Sequence, residues 1–402
     1  MVGQAPCNLQ FTRTRAIPSV EFSAGNTIEF LHCGAEFFPA LIQSIDAAST
    51  EIYLETYLFA TDDAGLAVLD SLMGAAARGV TVNLITDWLG TGRTRCGLLA
   101  EALRHTTVNH RVFNQWFHRG VARTHRKICV VDKRLAFVGG ININHDLHSA
   151  EGPETLSSPR WDFSVRVCGP IVDVIHKEAV GQWLRTGPLP LLDRLQLFAE
   201  LRASTSTPVH GDSLAGFFTC DNLHNRFTIQ REYLRAINAS SQYVLIANPY
   251  FAPGRTFRDA LSSAADRGVC VMLLLGVGQF PILDSVARSY YPKLLKSGVK
   301  LFEYRRTQLH AKVAVIDDQW ATVGSSNCDG LSLFVNHEAN LVVQDRALAK
   351  DLGGQIRQGI RDATEIKMKD FARIPWFKRL WYGLSFLVYR GVMRVITLNT
   401  YA

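Results

Sequence analysis

The sequence predicts an α/β protein made by tandem duplication: two α/β domains related by a pseudo-two-fold axis, with one site at their interface. Three observations carry this. The pattern His-x-Lys-x4-Asp occurs twice, at His125, Lys127 and Asp132 and again at His310, Lys312 and Asp317. Each histidine is followed seventeen residues later by an asparagine, Asn142 or Asn327, in a glycine-rich context. The segments around the two motifs repeat in the same order, on either side of a Pro-, Ser- and Thr-richer stretch from Thr186 to Leu214 that reads as a linker.

Each half opens on an apolar run that reads as a buried strand, Ile52 to Leu58 and Tyr243 to Tyr250. A helical pattern follows, carried by Leu66, Leu69 and Leu72 in one half and by Phe257, Leu261 and Ala265 in the other. Gly79 and Gly268 fall where a helix end wants a left-handed residue. A second strand follows at once in each half, and strand–helix–strand units of this kind build parallel sheets. The domains are expected over 26–184 and 216–364, with a linker over 185–215 and a tail over 365–402.

Residues i and i+2 of a strand share a face, so His125 and Lys127 point the same way, as do His310 and Lys312. Asp132 and Asp317 lie too far along to touch the same ligand. Asp132-Lys133 and Asp317-Asp318 read as two-residue hairpin turns between apolar strands. That turn length pairs His310 with Ser325 and Lys312 with Val323, and returns Asn142 and Asn327 beside their histidines. The glycines before each asparagine are expected to leave room for a ligand near the backbone.

One half holds one His–Lys–Asn set, which is too little for both attack and leaving-group protonation. Two sets face to face can hold a phosphodiester, attack it with one imidazole and move protons with the other. The two sets are equivalent by local logic; His125 is assigned as nucleophile and His310 as acid and base. A catalytic histidine needs a partner that fixes its tautomer. Asp162 is expected to orient His125, and Glu338 to orient His310. Glu55 and Asn248 end equivalent strands and are candidate substrate contacts. Arg123, Arg126, Arg305 and Arg306 flank the motifs as candidate holders of a second phosphate. His32, His105, His145 and His148 read as surface or loop residues.

Composition narrows the partners. The chain has 402 residues and a net charge of +7, which favours anionic partners. Five of those charges lie in 372–402 as Arg373, Lys378, Arg379, Arg390 and Arg394, with no acid among them. The near-neutral remainder is a weak footprint for a nucleic-acid binder. The eight cysteines are scattered without a C-x-x-C pair and read as buried free thiols of a reducing environment. The first 25 residues lack the apolar core of a signal peptide, and no apolar run reaches the ~18–20 residues of a membrane span.

The two complete motifs resemble the phospholipase D superfamily over about residues 26–364. The blocks Leu54-Glu55-Thr56-Tyr57, Ala247-Asn248-Pro249-Tyr250-Phe251 and Phe302 to His310 resemble its bacterial cardiolipin synthases of the short type, as do Gly324-Ser325-Ser326-Asn327 and Asn336-His337-Glu338-Ala339-Asn340. The resemblance implies phosphatidyl transfer through a phosphohistidine without metal or other cofactor. In that family two phosphatidylglycerols give cardiolipin and glycerol, and phosphatidylethanolamine is a further donor to consider. It carries the catalytic role onto His125, Lys127, Asp132, His310, Lys312 and Asp317, and phosphate binding onto Asn142 and Asn327. The alternatives are a phospholipid hydrolase, a nucleic-acid phosphodiesterase and a non-catalytic membrane-binding module.

The tail reads as a helix over 375–396 with Arg379, Gly383, Phe386, Arg390 and Arg394 on one narrow stripe. Basic residues beside Trp and Tyr suit a helix lying in an anionic lipid surface. Peripheral attachment to the cell membrane through this tail is the expectation; packing on the protein's own body is the alternative.

Overall fold

The computed structural model describes residues 20–118, 120, 122–149, 155–188, 208–221 and 225–397. The first half contributes strands β1 (Ser23–His32), β2 (Glu51–Thr56), β3 (Thr81–Asp87), β4 (Asn109–Phe113), β5 (Ile128–Val131), β6 (Leu135–Gly139) and β7 (Phe163–Cys168). The second contributes β8 (Ser213–Cys220), β9 (Tyr243–Asn248), β10 (Phe251–Ala252), β11 (Cys270–Gly276), β12 (Lys300–Tyr304), β13 (Val313–Ile316), β14 (Trp320–Gly324), β15 (Cys328–Asp329), β16 (Glu338–Gln344) and β17 (Thr364–Ile366). The second set therefore begins at Ser213, inside the stretch expected as linker; residues 189–207 of that stretch lie outside the described residues.

Fifteen of these strands form one sheet, in the order β17-β12-β11-β9-β13-β14-β16-β8-β1-β7-β6-β5-β2-β3-β4. Apart from β17, the order reads alike outward from the β8–β1 contact. The duplication seen in the sequence is thus a palindrome in space, as a pseudo-two-fold axis requires. In each half three strands run parallel, β2-β3-β4 and β9-β11-β12. Helices Asp63–Ala77 and Arg255–Asp266 join the first two strands of each trio, and Gly79 (φ 90°) and Gly268 (φ 89°) take the left-handed conformation that ends them. Each half has its own apolar core, around Leu72 and around Leu261. A third core joins Ile128, Val130 and Val138 to Val313, Val315 and Val323. The halves are therefore fused by buried apolar surface, which holds the two motifs at a fixed spacing.

The motif hairpins differ by one residue from the expected register. Val131 pairs with Leu135 and Ile316 with Trp320, so each connection has three residues, and Val313 rather than Lys312 lies opposite Val323. Asp132, Lys133, Asp317 and Asp318 all have φ between 50° and 53°. Asp132 accepts hydrogen bonds from the N–H groups of Ser49, Thr50 and Glu51 at 2.8–3.0 Å and from the Ser49 and Thr50 hydroxyls. Asp317 does the same for Ser241, Gln242 and Tyr243 at 2.6–2.9 Å. Burial acts to raise the Asp132 carboxyl, but these donors outweigh it and bring it down to about 2. Both motif aspartates thus clamp the start of the neighbouring strand, β2 or β9.

The tail forms a helix, Trp376–Ile396, packed against the helix Pro281–Lys296. Phe386 meets Tyr290 with ring centroids 5.4 Å apart, and the Gly330 N–H donates to the Tyr389 hydroxyl at 2.9 Å. Trp376, Leu380, Trp381, Leu387, Val388 and Val395 remain exposed. The expected basic stripe is broken, because Phe386 turns inward and Arg379 folds back onto the Ile374 carbonyl at 2.9 Å. No helix among the described residues is long and apolar enough to cross a membrane. The cysteines from Cys33 to Cys328 are free and mostly buried; Cys7 lies outside the described residues.

Candidate active site

His125, His310, Asn142 and Asn327 line one cavity of about 990 Å³ between the halves. The His-x-Lys segments are not themselves in the strands; they run just ahead of β5 and β13. Each is held by backbone of the opposite half. The His125 N–H donates to the His337 carbonyl at 2.9 Å, and the His310 N–H donates to the Trp161 carbonyl at 2.9 Å. His337 and Trp161 immediately precede the two candidate acids, so this backbone pairing carries each carboxylate to the other half's imidazole.

The acid pairing is therefore the reverse of the expected one. His310 Nδ1 lies 2.6 Å from Asp162 Oδ2, and His125 Nδ1 lies 3.1 Å from Glu338 Oε2. The expectation placed each acid within its own half; the residues just ahead of their strands, Trp161 and His337, pair with the other half's His segment instead. Both His125 neighbours at Nδ1, the Glu338 carboxylate and the Ser325 carbonyl (3.1 Å), are acceptors. Nδ1 must then carry the proton, which leaves the Nε2 lone pair as the free edge of the neutral ring. The same tautomer follows for His310 from its contact with Asp162. Glu338 is fully buried and also takes a hydrogen bond from the Ser325 hydroxyl.

Burial lowers the His125 pKa to about 4; Glu338 works against this and Lys127 with it. Burial, reinforced by Lys312, also lowers His310, with Asp162 opposing. Asp162 is itself held at about 2, because His310 and Lys312 outweigh the effect of its burial. Both shifts favour the neutral imidazole, and an entering anion opposes the depression.

Lys127 and Lys312 sit beneath the cavity surface instead of on it. Lys127 Nζ donates to the His125 carbonyl at 2.6 Å, and Lys312 Nζ donates to the His310 carbonyl. Burial and the nearby Lys312 bring Lys127 down to about 7. Asn142 and Asn327 each have a buried side-chain oxygen with no hydrogen-bond partner. Turning either amide over presents its NH2 group to a ligand instead.

The glycines do not open space for a ligand as expected. A methyl at Gly140 would collide with the Asp162 carboxylate, at Gly139 with Ser164, and at Gly324 with Asn340. Their role is to let the acid-bearing strands approach. Glu55 and Asn248 are also misplaced by the expectation, since neither lines the cavity. Glu55 is buried against Arg126, with an Oε2–Nη2 distance of 2.6 Å, and accepts from the Thr124 hydroxyl. Asn248 Oδ1 caps the N–H groups of Tyr250 and Cys328 at 3.3 and 3.0 Å.

Several cavity residues escaped the sequence reading. Tyr57 and Tyr250 occupy matched places in the repeat, which was the available signal. The Tyr57 ring meets His125 edge-on at 4.8 Å, and Lys127 Nζ lies 5.2 Å from its centroid. Asp87 accepts from the N–H groups of Leu89, Gly90 and Thr124 at 2.9 Å each and so fixes the residue before His125. His148, an exposed loop residue as expected, also lines the cavity, with Nδ1 3.3 Å from Asp62. Asp329 and Ser332 line the opposite wall.

Two imidazoles from duplicated α/β halves, each backed by a carboxylate of the other half, define a phospholipase D-like enzyme. A family model described as "Cardiolipin synthase, PLD-like domain" matches residues 41–151 and 233–358. Cardiolipin synthase B of Salmonella typhimurium is 37% identical over 370 residues, covering 90% of this chain and 86% of that protein. Cardiolipin synthase B of Escherichia coli K12 is 36% identical over 380 residues, with the same coverage. Among solved structures, a phosphatidylserine synthase of Haemophilus influenzae superposes with a TM-score of 0.69 at 15% identity, covering 94% of this chain and 97% of that one. The last shows a common fold. The chain belongs to the cardiolipin synthase family of phospholipase D-like proteins.

Proposed function

We propose that this chain moves a phosphatidyl group from one phospholipid to phosphatidylglycerol, forming cardiolipin and releasing glycerol when the donor is also phosphatidylglycerol. The observation that carries the reading is the pair of imidazoles on one cavity, each backed by a carboxylate of the other half. His125 Nε2 attacks phosphorus, and the bond from phosphorus to the leaving oxygen breaks. That oxygen takes the proton of the His310 imidazolium, formed as the anionic substrate binds and stabilised by Asp162. The acceptor hydroxyl then returns a proton to His310 as its oxygen attacks phosphorus and the phosphorus–nitrogen bond breaks. The 2.6 Å contact of His310 with Asp162 suits the ring that must take up and release a proton at Nε2; the looser, shared contact of His125 suits the nucleophile. Asn142 and Asn327 hold the non-bridging oxygens. Lys127 and Lys312 act from beneath, as charges and as braces of the histidine backbone.

The substrates place the enzyme at a membrane surface. The exposed apolar face of the C-terminal helix, with Lys378, Arg390 and Arg394 beside it, supports contact with anionic lipid. Leu89 and Phe280, both partly exposed on the cavity rim, support a mouth that faces the bilayer.

The test is to incubate the pure protein with phosphatidylglycerol vesicles, with and without phosphatidylethanolamine, and to separate the lipid products. Cardiolipin is the expected product. Phosphatidic acid alone would identify a hydrolase and overturn the transferase reading.

A further inference from the structure

The cavity is electrically lopsided although the fold around it is symmetric. Among the described residues, its first-half wall carries Arg95 and Arg123; its second-half wall carries no lysine or arginine and includes Asp329. The offset that maps His125 onto His310 and Asn142 onto Asn327 maps Arg123 onto Gln308 and Asn144 onto Asp329. Both differences make the first-half side more positive. The Asp62 carboxylate, also on the first-half side, is already engaged by the N–H groups of Gly65 and His145.

Of the four arginines that flank the motifs, three are taken by acids. Arg126 pairs with Glu55 at 2.6 Å, Arg305 with Glu303 at 2.9 Å and Arg306 with Asp362 at 2.8 Å. Arg123 instead reaches the Tyr57 hydroxyl at 3.5 Å and faces the cavity. Its backbone is fixed from both halves. The His337 N–H donates to its carbonyl at 2.8 Å, and the next N–H, of Thr124, is held by Asp87 at 2.9 Å. Tyr57 spans the gap between this guanidinium and the reacting centre, with its ring edge-on to His125 and its hydroxyl at Arg123. A prearranged cation on a rigid segment, one phenol ring from the nucleophile, suits a second phosphate.

The proposed acceptor brings such a group. Phosphatidylglycerol carries a phosphodiester that does not react, separated by three carbons from the hydroxyl that attacks. We propose that Arg123, with the Tyr57 hydroxyl and with Arg95 at the rim, forms a second anion subsite that takes this unreacted phosphate. The inference rests on the transferase reading above. It makes the site directional, since the other half has Gln308 at the position equivalent to Arg123. An uncharged alcohol would use the histidines without using the subsite.

The experiment is a competition between acceptors in one vessel. Phosphatidylglycerol vesicles are supplied with ethanol, and the ratio of cardiolipin to phosphatidylethanol is measured for the wild type, Arg123→Gln and Arg123→Lys. Loss of one charge-assisted contact lowers the ratio by about tenfold or more in Arg123→Gln, and Arg123→Lys recovers part of it. An unchanged ratio in both variants, or equal loss of both products in both, overturns the subsite. A wild type that makes phosphatidylethanol but no cardiolipin overturns the reading of phosphatidylglycerol as acceptor, and the subsite falls with it.

Discussion

Glu338 of the second half lies 3.1 Å from Nδ1 of His125 in the first, although 213 residues separate them. Asp162 and His310 make the reciprocal contact across 148 residues. Neither half supplies both members of either of these two pairs.

This crossing predicts which variant a good leaving group rescues. Glu338→Gln and Asp162→Asn should each slow phosphatidyl transfer by about 10²–10⁴-fold. A phosphodiester with a p-nitrophenol leaving group needs no proton, so it should restore phosphohistidine formation in Asp162→Asn, which affects the acid His310. It should not restore it in Glu338→Gln, which affects the nucleophile. Rescue of Glu338→Gln instead would reverse the assignment of the two histidines.

The motif aspartates should behave as fold elements. Asp132→Ala removes the acceptor for three backbone N–H groups at a largely exposed turn, where water replaces it, and should cost about 0.5–1.5 kcal/mol. Urea unfolding would measure that loss. Turnover per folded molecule should stay near wild type. A drop in turnover without a drop in stability would return Asp132 to the chemistry.

The pH dependence follows from the direction of the His125 shift. A lowered imidazole pKa keeps the ring neutral, and able to attack, above its folded value of about 4. The second-order rate constant for phosphohistidine formation at limiting substrate, which reports the free enzyme, should therefore persist through pH 5 and fail only near pH 4. Lys127 and Lys312 push the pKa down and Glu338 pushes it up. Lys127→Gln should accordingly move the acid limb to higher pH. A limb that stays in place, or one near pH 6.5 in the wild type, contradicts the argument.

The two faces of the C-terminal helix should separate binding from folding. Leu380→Asp with Leu387→Asp alters only exposed positions. It should weaken sedimentation with anionic vesicles several-fold, because each substitution replaces apolar contact by a charge repelled from the surface. Met393→Ala, on the buried face, should lower the melting temperature through a cavity cost of about 2–5 kcal/mol. Vesicle binding indifferent to the outer-face change would remove this helix from the membrane contact.

The sequence by itself determined the duplication, the α/β class, the identity of the two His–Lys–Asn sets and the turns at Asp132 and Asp317. These are local: a strand has period two, a turn needs particular residues, and a repeat is visible as a repeat. What only the tertiary structure decided is which groups meet. Asp162 and Glu338 were legible as the acids, but their partners depend on how the strand starts at Trp161 and His337 pair across the seam. Glu55 and Asn248 were legible as strand ends, but whether they reach the cavity depends on the Arg126 guanidinium and the Cys328 N–H that occupy them. The hairpin register was missed by one residue, because the length of a turn is set by its own backbone dihedrals and not by the motif's spacing. Arg123 could be named as one of four flanking arginines; only the placement of the acids around the other three left it facing the cavity.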